Sequence, residues 1–149
     1  MSLNIIRLSA DMAFNVFQLE NECFFDPYSL SSLRKDFSDE RNICIGAFEN
    51  DKLIAYLICT TVLDEAELQR IAVTSSLRGK GIASSLMSHL IDECLSLNIS
   101  YIFLEVREGN SSARKLYEKY NFVQTGLRKK YYQDNGENAV LYTLSVEGR

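Results

Sequence analysis

The sequence predicts one domain of mixed α/β class. Three observations carry that expectation. The chain has 149 residues, the size of a single domain. Runs rich in β-branched and aromatic residues alternate with stretches whose apolar positions recur at helical spacing. No repeat, low-complexity tract or Gly/Ser linker divides residues 1–149, and Pro27 is the single proline. The expected order is strand, two helices, three strands, helix, strand, helix, two strands.

Each element has a local reason. Leu3 to Leu8 is a short apolar strand. Asp11 is placed to cap a helix running to about Cys23, with Phe14, Phe17 and Leu19 among its apolar positions. Asp26-Pro27 ends that helix, and Ser29 or Ser31 starts a second one through Leu33 and Phe37. Ile43 to Phe48 and Leu53 to Leu63 read as strands joined by a hairpin turn at Glu49-Asn50-Asp51-Lys52. After Asp64-Glu65 the chain forms a third strand, Glu67 to Val73. From Gly81 to Leu97, Ile82, Leu86, Leu90, Ile91 and Leu95 fall on one helical face. Tyr101 to Val106 is a strand and Ser111 to Tyr120 a helix. Phe122 to Tyr131 and Ala139 to Val146 close as two strands around Asp134-Asn135-Gly136.

Composition excludes several functions. Apolar residues make up 46% and charged residues 24%, ordinary for a soluble globular chain. No apolar run approaches the roughly 20 residues of a membrane span, and no signal peptide opens the chain, so a cytoplasmic protein without membrane partner is expected. The net charge of −4 argues against general nucleic-acid binding and is compatible with a basic peptide. Cys23, Cys44, Cys59 and Cys94 are scattered, no CxxC pair exists and His89 is the single histidine, so no metal site is expected.

The segment Ile71-Ala72-Val73-Thr74-Ser75-Ser76-Leu77-Arg78-Gly79-Lys80-Gly81-Ile82-Ala83 joins a strand end to a helix start through glycines. Glycine lets backbone approach a ligand closely. The first N–H groups of a helix lack intrahelical partners and carry the positive dipole end, which suits a phosphate. A tight strand-to-helix turn with basic surface residues is the plainer use of such a segment. It is neither a P-loop, lacking GxxxxGK[ST], nor a dinucleotide fingerprint, lacking the third glycine. Arg78-Gly79-Lys80-Gly81-Ile82-Ala83 resembles the (Q/R)-x-x-G-x-(G/A) loop of GNAT acetyltransferases. That resemblance, which spans nearly the whole chain, implies a mostly antiparallel seven-stranded sheet flanked by four helices, with a splayed strand pair. It implies acetyl-coenzyme A as co-substrate, its arm along Ile71, Ala72 and Val73, its phosphates at Arg78, Gly79, Lys80, Gly81, Ile82, Ala83 and Ser84.

A second block, Glu105 to Phe122, resembles the family pattern E-V-x-x-x-N-x-x-A-x-x-L-Y-x-x-x-G-F, with Asn121 where glycine is usual. Asparagine tolerates a left-handed helix end, so the turn can survive. Acetyl transfer to an amine needs a proton taken from an ammonium and one given to a leaving thiolate. Glu105, on an apolar strand, is expected to be partly desolvated, which raises a carboxylate toward a useful base. Tyr117, on the next helix, is an acid of suitable reference strength. The ordinary uses of these residues are a solvated strand face and a core-edge aromatic. The resemblance implies Glu105 as base, Tyr117 as acid and Asn110 as a cofactor contact; Glu67, on the strand before the glycine loop, and a water relay are rival bases.

Asp64-Glu65-Ala66, Phe25-Asp26-Pro27-Tyr28-Ser29 and Arg128-Lys129-Lys130-Tyr131-Tyr132 together resemble the RimI-type ribosomal-protein alanine N-terminal acetyltransferases. The resemblance implies that Tyr131 and Tyr132 meet the acceptor's first backbone groups, with Tyr28 and Glu67 on the other side. The implied acceptor is a protein N-terminus, expected on a ribosomal protein, and the implied state a monomer or weak dimer. A GNAT enzyme acting on a polyamine, amino acid or drug, and a non-catalytic acyl-coenzyme A-binding protein, are the alternatives. A peptide groove between Tyr28 and Tyr131 favours the first reading; a closed acidic pocket favours a small amine.

Overall fold

Seven apolar segments pair into one sheet in the computed structural model of the chain, which describes residues 2–147. Among the described residues the strands are β1 (Asn4–Arg7), β2 (Ile43–Glu49), β3 (Lys52–Val62), β4 (Glu65–Val73), β5 (Tyr101–Arg107), β6 (Val123–Arg128) and β7 (Ala139–Ser145). The α-helices are α1 (Ala13–Cys23), α2 (Leu30–Ser38), α3 (Ile82–Ser96) and α4 (Ser111–Lys119). Strand order is β1-β2-β3-β4-β5-β7-β6, and every neighbouring pair is antiparallel except β4 with β5. The expected class and element order agree with this sheet.

Side-chain alternation splits the core in two. On one face, Ile43, Ile45 and Ala47 meet the α3 residues Leu86, Met87, Leu90 and Ile91, with Tyr117 of α4 beyond them. On the other, Cys44, Tyr56 and Ile58 meet Val16 and Leu19 of α1 and Leu33 and Phe37 of α2. Cys44, Cys59 and Cys94 are buried and unbridged, packing as small apolar groups.

Two irregularities in β4 shape the groove side of the sheet. Opposite the step from Ile58 to Cys59, β4 carries one extra residue, Gln69, between Leu68 and Arg70. This bulge switches parity: Ala66 and Leu68 face the α3 core before it, Ile71 and Val73 after it, and Arg70 turns toward α1. Second, β4 and β5 pair only where Glu65–Glu67 meet Tyr101–Phe103. Beyond Glu67 the strands diverge, so the splay implied by the resemblance is present.

Ends of elements follow their capping chemistry. The Ser29 hydroxyl accepts the Ser32 N–H at 3.1 Å, capping α2. Asn50 and Asp51 both take left-handed φ, +50° and +64°, as a two-residue hairpin turn requires. Asp11 does not cap α1 as expected. Its carboxylate is held by the Ser9 hydroxyl, and the chain enters α1 through a 3-10 turn, Ala10–Met12. Asn121 sits at φ +72°; its N–H donates to Glu118 O, and the Phe122 N–H to Tyr117 O, both at 3.0 Å. That pair of bonds is the Schellman arrangement, completed by the Phe122 ring 5.8 Å from the Tyr117 ring.

Asn121→Ala should therefore cost about 1 kcal/mol, because alanine has no side chain to ease a left-handed backbone, while Asn121→Gly should cost nothing or stabilise slightly. Urea unfolding of both variants beside wild type measures it.

Candidate active site

The divergence of β4 from β5 opens two adjoining grooves. One, of about 590 Å³, runs between β4 and the start of α3. The other, of about 790 Å³, lies across β5 toward the connections that come after α1 and β6. Ile71, Asn110 and Ala113 border both.

The first groove gathers most of the residues expected to hold a phosphorylated ligand. Ala72, Val73, Arg78, Gly79 and Gly81 line it, and so do Ile82, Ala83 and Ser84. Gly79 and Gly81 have φ of +78° and +82°, and a Cβ built on either would meet nothing within 4 Å. The backbone there is both left-handed and open, a combination only glycine takes without strain. Gly81 caps α3 with no side-chain acceptor, which leaves the first N–H groups of a 15-residue helix unclaimed by a cap. Arg78 departs from the simple expectation of a phosphate ligand. Its Nε donates to Val73 O at 3.0 Å and its Nη2 reaches Cys23 Sγ at 3.7 Å, so it ties the loop to the end of β4. Lys80 is exposed and does not line the groove.

Glu67, Glu105 and Tyr117 line the second groove together. Glu67 faces Phe103 at the last paired position, and Glu105 comes next on the same face of β5 just past the divergence. Tyr117 is 5% exposed, and among the described residues its hydroxyl has no protein hydrogen-bond partner. Burial pushes this phenol well above its ordinary value. The surroundings of Glu105 are more polar than an apolar strand suggested. Its side chain keeps 26% exposure, Arg128 Nη2 lies 3.8 Å away, and the Tyr131 phenol is pushed up chiefly by the nearby Glu105 carboxylate. Asn110 caps α4: its Oδ1 accepts the Ala113 N–H at 3.2 Å.

The remaining expected residues, Tyr28, Tyr131 and Tyr132, stand on opposite walls of the second groove. The two tyrosines of the C-terminal wall are not on a strand, as expected, but on the connection after β6. Lys130 takes φ +52°, which ends the extended run, and both tyrosine N–H groups then donate to Glu137 O at 3.1 Å.

Five residues that sequence reasoning did not assign organise the site. Glu137 accepts the Gly109 N–H at 2.7 Å and pairs with Arg107, whose guanidinium also pairs with Asp134 and stacks 4.0 Å from the Tyr132 ring centre. Arg128 approaches Glu105. Glu20 and Arg70 form an ion pair beneath Tyr28. Arg107 and Arg128 lie within the quoted segments but at positions to which no role was attached; for the others a charge such as Glu20, inside an otherwise apolar helix face, is the one signal available. His89 lies half-buried on α3, and among the described residues no cluster of metal-ligating side chains forms. No described helix is long and apolar enough to cross a membrane.

The profile of the Acetyltransferase (GNAT) family matches residues 13–122. The curated [ribosomal protein bS18]-alanine N-acetyltransferase of Haemophilus ducreyi is 34% identical over 144 residues, 94% of this chain and 99% of that one. Its Haemophilus influenzae counterpart is 36% identical over 129 residues, 85% of this chain and 87% of that one. The crystal structure of the ribosomal-protein-S18-alanine N-acetyltransferase from Escherichia coli matches with a TM-score of 0.91 at 30% identity, covering 97% of this chain and 94% of that chain.

The Gly109 N–H and then Arg107 hold the Glu137 carboxyl below its ordinary value. A carboxylate depressed in the folded state contributes stability above its unfolded pKa and loses it as pH falls through the folded one. Wild type should therefore lose thermal stability between about pH 5 and pH 3 more steeply than Glu137→Gln, whose profile lacks this component. Melting temperatures of the two proteins across that range, at low salt, give the comparison.

Proposed function

This chain belongs to the acetyltransferase (GNAT) family, and from that premise we propose that it transfers acetyl from acetyl-coenzyme A to the N-terminal alanine of a ribosomal protein. The observation that carries the reading is the groove at the strand divergence, where the hydroxyl of the otherwise buried Tyr117, free of any protein partner among the described residues, and the Glu105 carboxylate line one space. Support for the acceptor comes from the Haemophilus relatives, ribosomal-protein alanine N-acetyltransferases matched over most of their length. The shape agrees: an open groove between Tyr28 and Tyr131 suits a chain end better than a closed pocket would. A soluble cytoplasmic setting accompanies the same reading.

The residues of the first groove fit the donor. Left-handed Gly79 and Gly81 and the uncapped start of α3 present N–H groups to phosphate. Past Glu67, the β4 edge facing the groove has no strand partner, so Ile71 to Val73 can pair with an extended amide arm. The thioester supplies an electrophilic carbonyl and a thiolate leaving group.

The protein's part is proton handling and placement. Glu105 takes a proton from the acceptor ammonium, directly or through a water, with Glu67 as the rival acceptor at the same face. An N-terminal amine, near pKa 8, asks less of that base than a lysine near 10.4. Tyr117 gives its proton to the departing sulfur. Reference values near 10 for a phenol and roughly 8.5 for a thiol make that step uphill in water. Burial opposes the thiolate as it opposes the phenolate, so the transfer is better matched inside the groove. A C–N bond forms, a C–S bond breaks, and one proton reaches solvent per turnover.

The expected result is thiol release from acetyl-coenzyme A with peptides bearing free N-terminal alanine, and little with N-blocked lysine peptides or polyamines. Glu105→Gln and Tyr117→Phe should each lower kcat/KM by about 10²-fold or more. Turnover on lysine or polyamine instead would overturn the acceptor assignment. Full activity in Glu105→Gln would move proton acceptance to Glu67 or water.

A further inference from the structure

Arg70 has no role in the proton chemistry, yet it sits at the wall of the acceptor groove in an unusual setting. Glu20 of α1 is fully buried. Its Oε1 accepts Arg70 Nε at 3.2 Å and the Tyr56 hydroxyl; its Oε2 accepts the Tyr28 N–H at 2.7 Å and Arg70 Nη2 at 3.4 Å. Arg70 Nη2 also donates to Asp26 O at 2.6 Å. The guanidinium lies between two rings, 3.9 Å from the centre of Phe24 and 4.2 Å from that of Tyr28.

These contacts reach Phe24, Asp26 and Tyr28 in the connection between α1 and α2. No residue from Phe24 to Ser29 is fully buried, and Phe25 is 89% exposed. Phe24 and Tyr28 are only partly buried where they pack against the α1–α2 core, so the segment's conformation also draws on polar bonds and on those two rings stacked over one cation. An arginine supplies both, because its planar fork donates in several directions while its faces stack. The bulge at Gln69 is what aims it there: with uninterrupted alternation Arg70 would share the face of Leu68, inside the α3 core.

We propose that Arg70 and Glu20 are positioning residues for the acceptor: their buried ion pair holds residues 24–28, and Tyr28 above all, as a fixed wall of the acceptor groove. The inference rests on the acyl-transfer reading. Phe24 borders the donor groove as well, but Phe25, Asp26 and Tyr28 line the second groove alone, so the main effect falls on the acceptor.

The test compares intact wild type with Arg70→Met and Arg70→Lys, at a temperature well below the melting point of each. The readouts are KM for the acceptor, KM for acetyl-coenzyme A, kcat, and amide exchange of the Tyr28 N–H that Glu20 accepts. Whichever amine wild type acetylates serves as acceptor. Arg70→Met should raise the acceptor KM about tenfold, leave the acetyl-coenzyme A KM within about twofold, and speed exchange at Tyr28. Arg70→Lys, which keeps the charge beside Glu20 but not the fork, should move in the same direction to a smaller extent; it decides the matter if Arg70→Met does not fold. A wild-type acceptor KM in the folded variants, or a parallel rise in both KM values, would overturn the proposal. If wild type acetylates no amine at all, the acyl-transfer reading fails, and Tyr28 exchange unchanged by Arg70→Met would show separately that the pair holds no wall.

Discussion

The site depends on where the parallel pairing of β4 and β5 stops. Each strand is committed to its outer neighbour: Thr74 N–H donates to Ile54 O, keeping the end of β4 on β3, and Glu108 N–H donates to Asn138 O, keeping the end of β5 beside β7. The two halves of the sheet therefore separate past Glu67 and Phe103. Unpaired backbone groups in the middle of a sheet are costly unless something solvates them. Here they face an open groove, where water or an extended ligand can satisfy them. The same divergence exposes Glu105 on a strand whose alternate residues, Leu104 and Val106, are core.

The groove's two walls use one device with unequal strength. Each places an arginine against a tyrosine ring: Arg70 against Tyr28, Arg107 against Tyr132. The Arg70 side chain is 19% exposed and its partner Glu20 is wholly buried, whereas Arg107 is 36% exposed and its partners are open to solvent. Charges screened by water and salt hold weakly; a buried pair is demanding, because losing either member leaves the other uncompensated. The α1-side wall is thus the one whose arginine is held by a buried charge, and the wall bearing Tyr131 and Tyr132 the one whose arginine is paired nearer solvent.

What the sequence made legible is what lies close together along the chain. The glycine segment and the run from Glu105 to Phe122 are contiguous, so their patterns survive without knowledge of the fold, and the continuous apolar runs of β2 and β3 and the period of α3 are equally plain. Glu20 and Arg70 are 50 residues apart, and Arg107 and Glu137 are 30 apart; neither pair has a local signature. The Gln69 bulge hides in a strand that still reads as apolar, yet it decides which face Arg70 meets. Asp11 had the chemistry of a cap, but the Ser9 hydroxyl claims its carboxylate. The strand thought to reach Tyr131 stops at Arg128, because Lys130 turns left-handed, a backbone choice that lysine does not advertise.

Tyr117 shows how a short element can hold a reactive group firmly. Helix α4 spans nine residues, too few to be stable alone. Its start is fixed by the Asn110 side chain and its end by the Asn121 turn, which folds Phe122 back against the Tyr117 ring. Tyr142 packs on the same ring at 6.1 Å and spends its own hydroxyl on Arg114 and Glu118 of that helix. Tyr120, one residue past α4, donates its hydroxyl to Ser84 O. Among the described residues on and against α4, the Tyr117 phenol is therefore the one left without a protein partner. Its ring is buried, but its hydroxyl reaches the groove, where water can satisfy it. The cap, the turn and the two packed rings therefore fix the direction in which that phenol can donate.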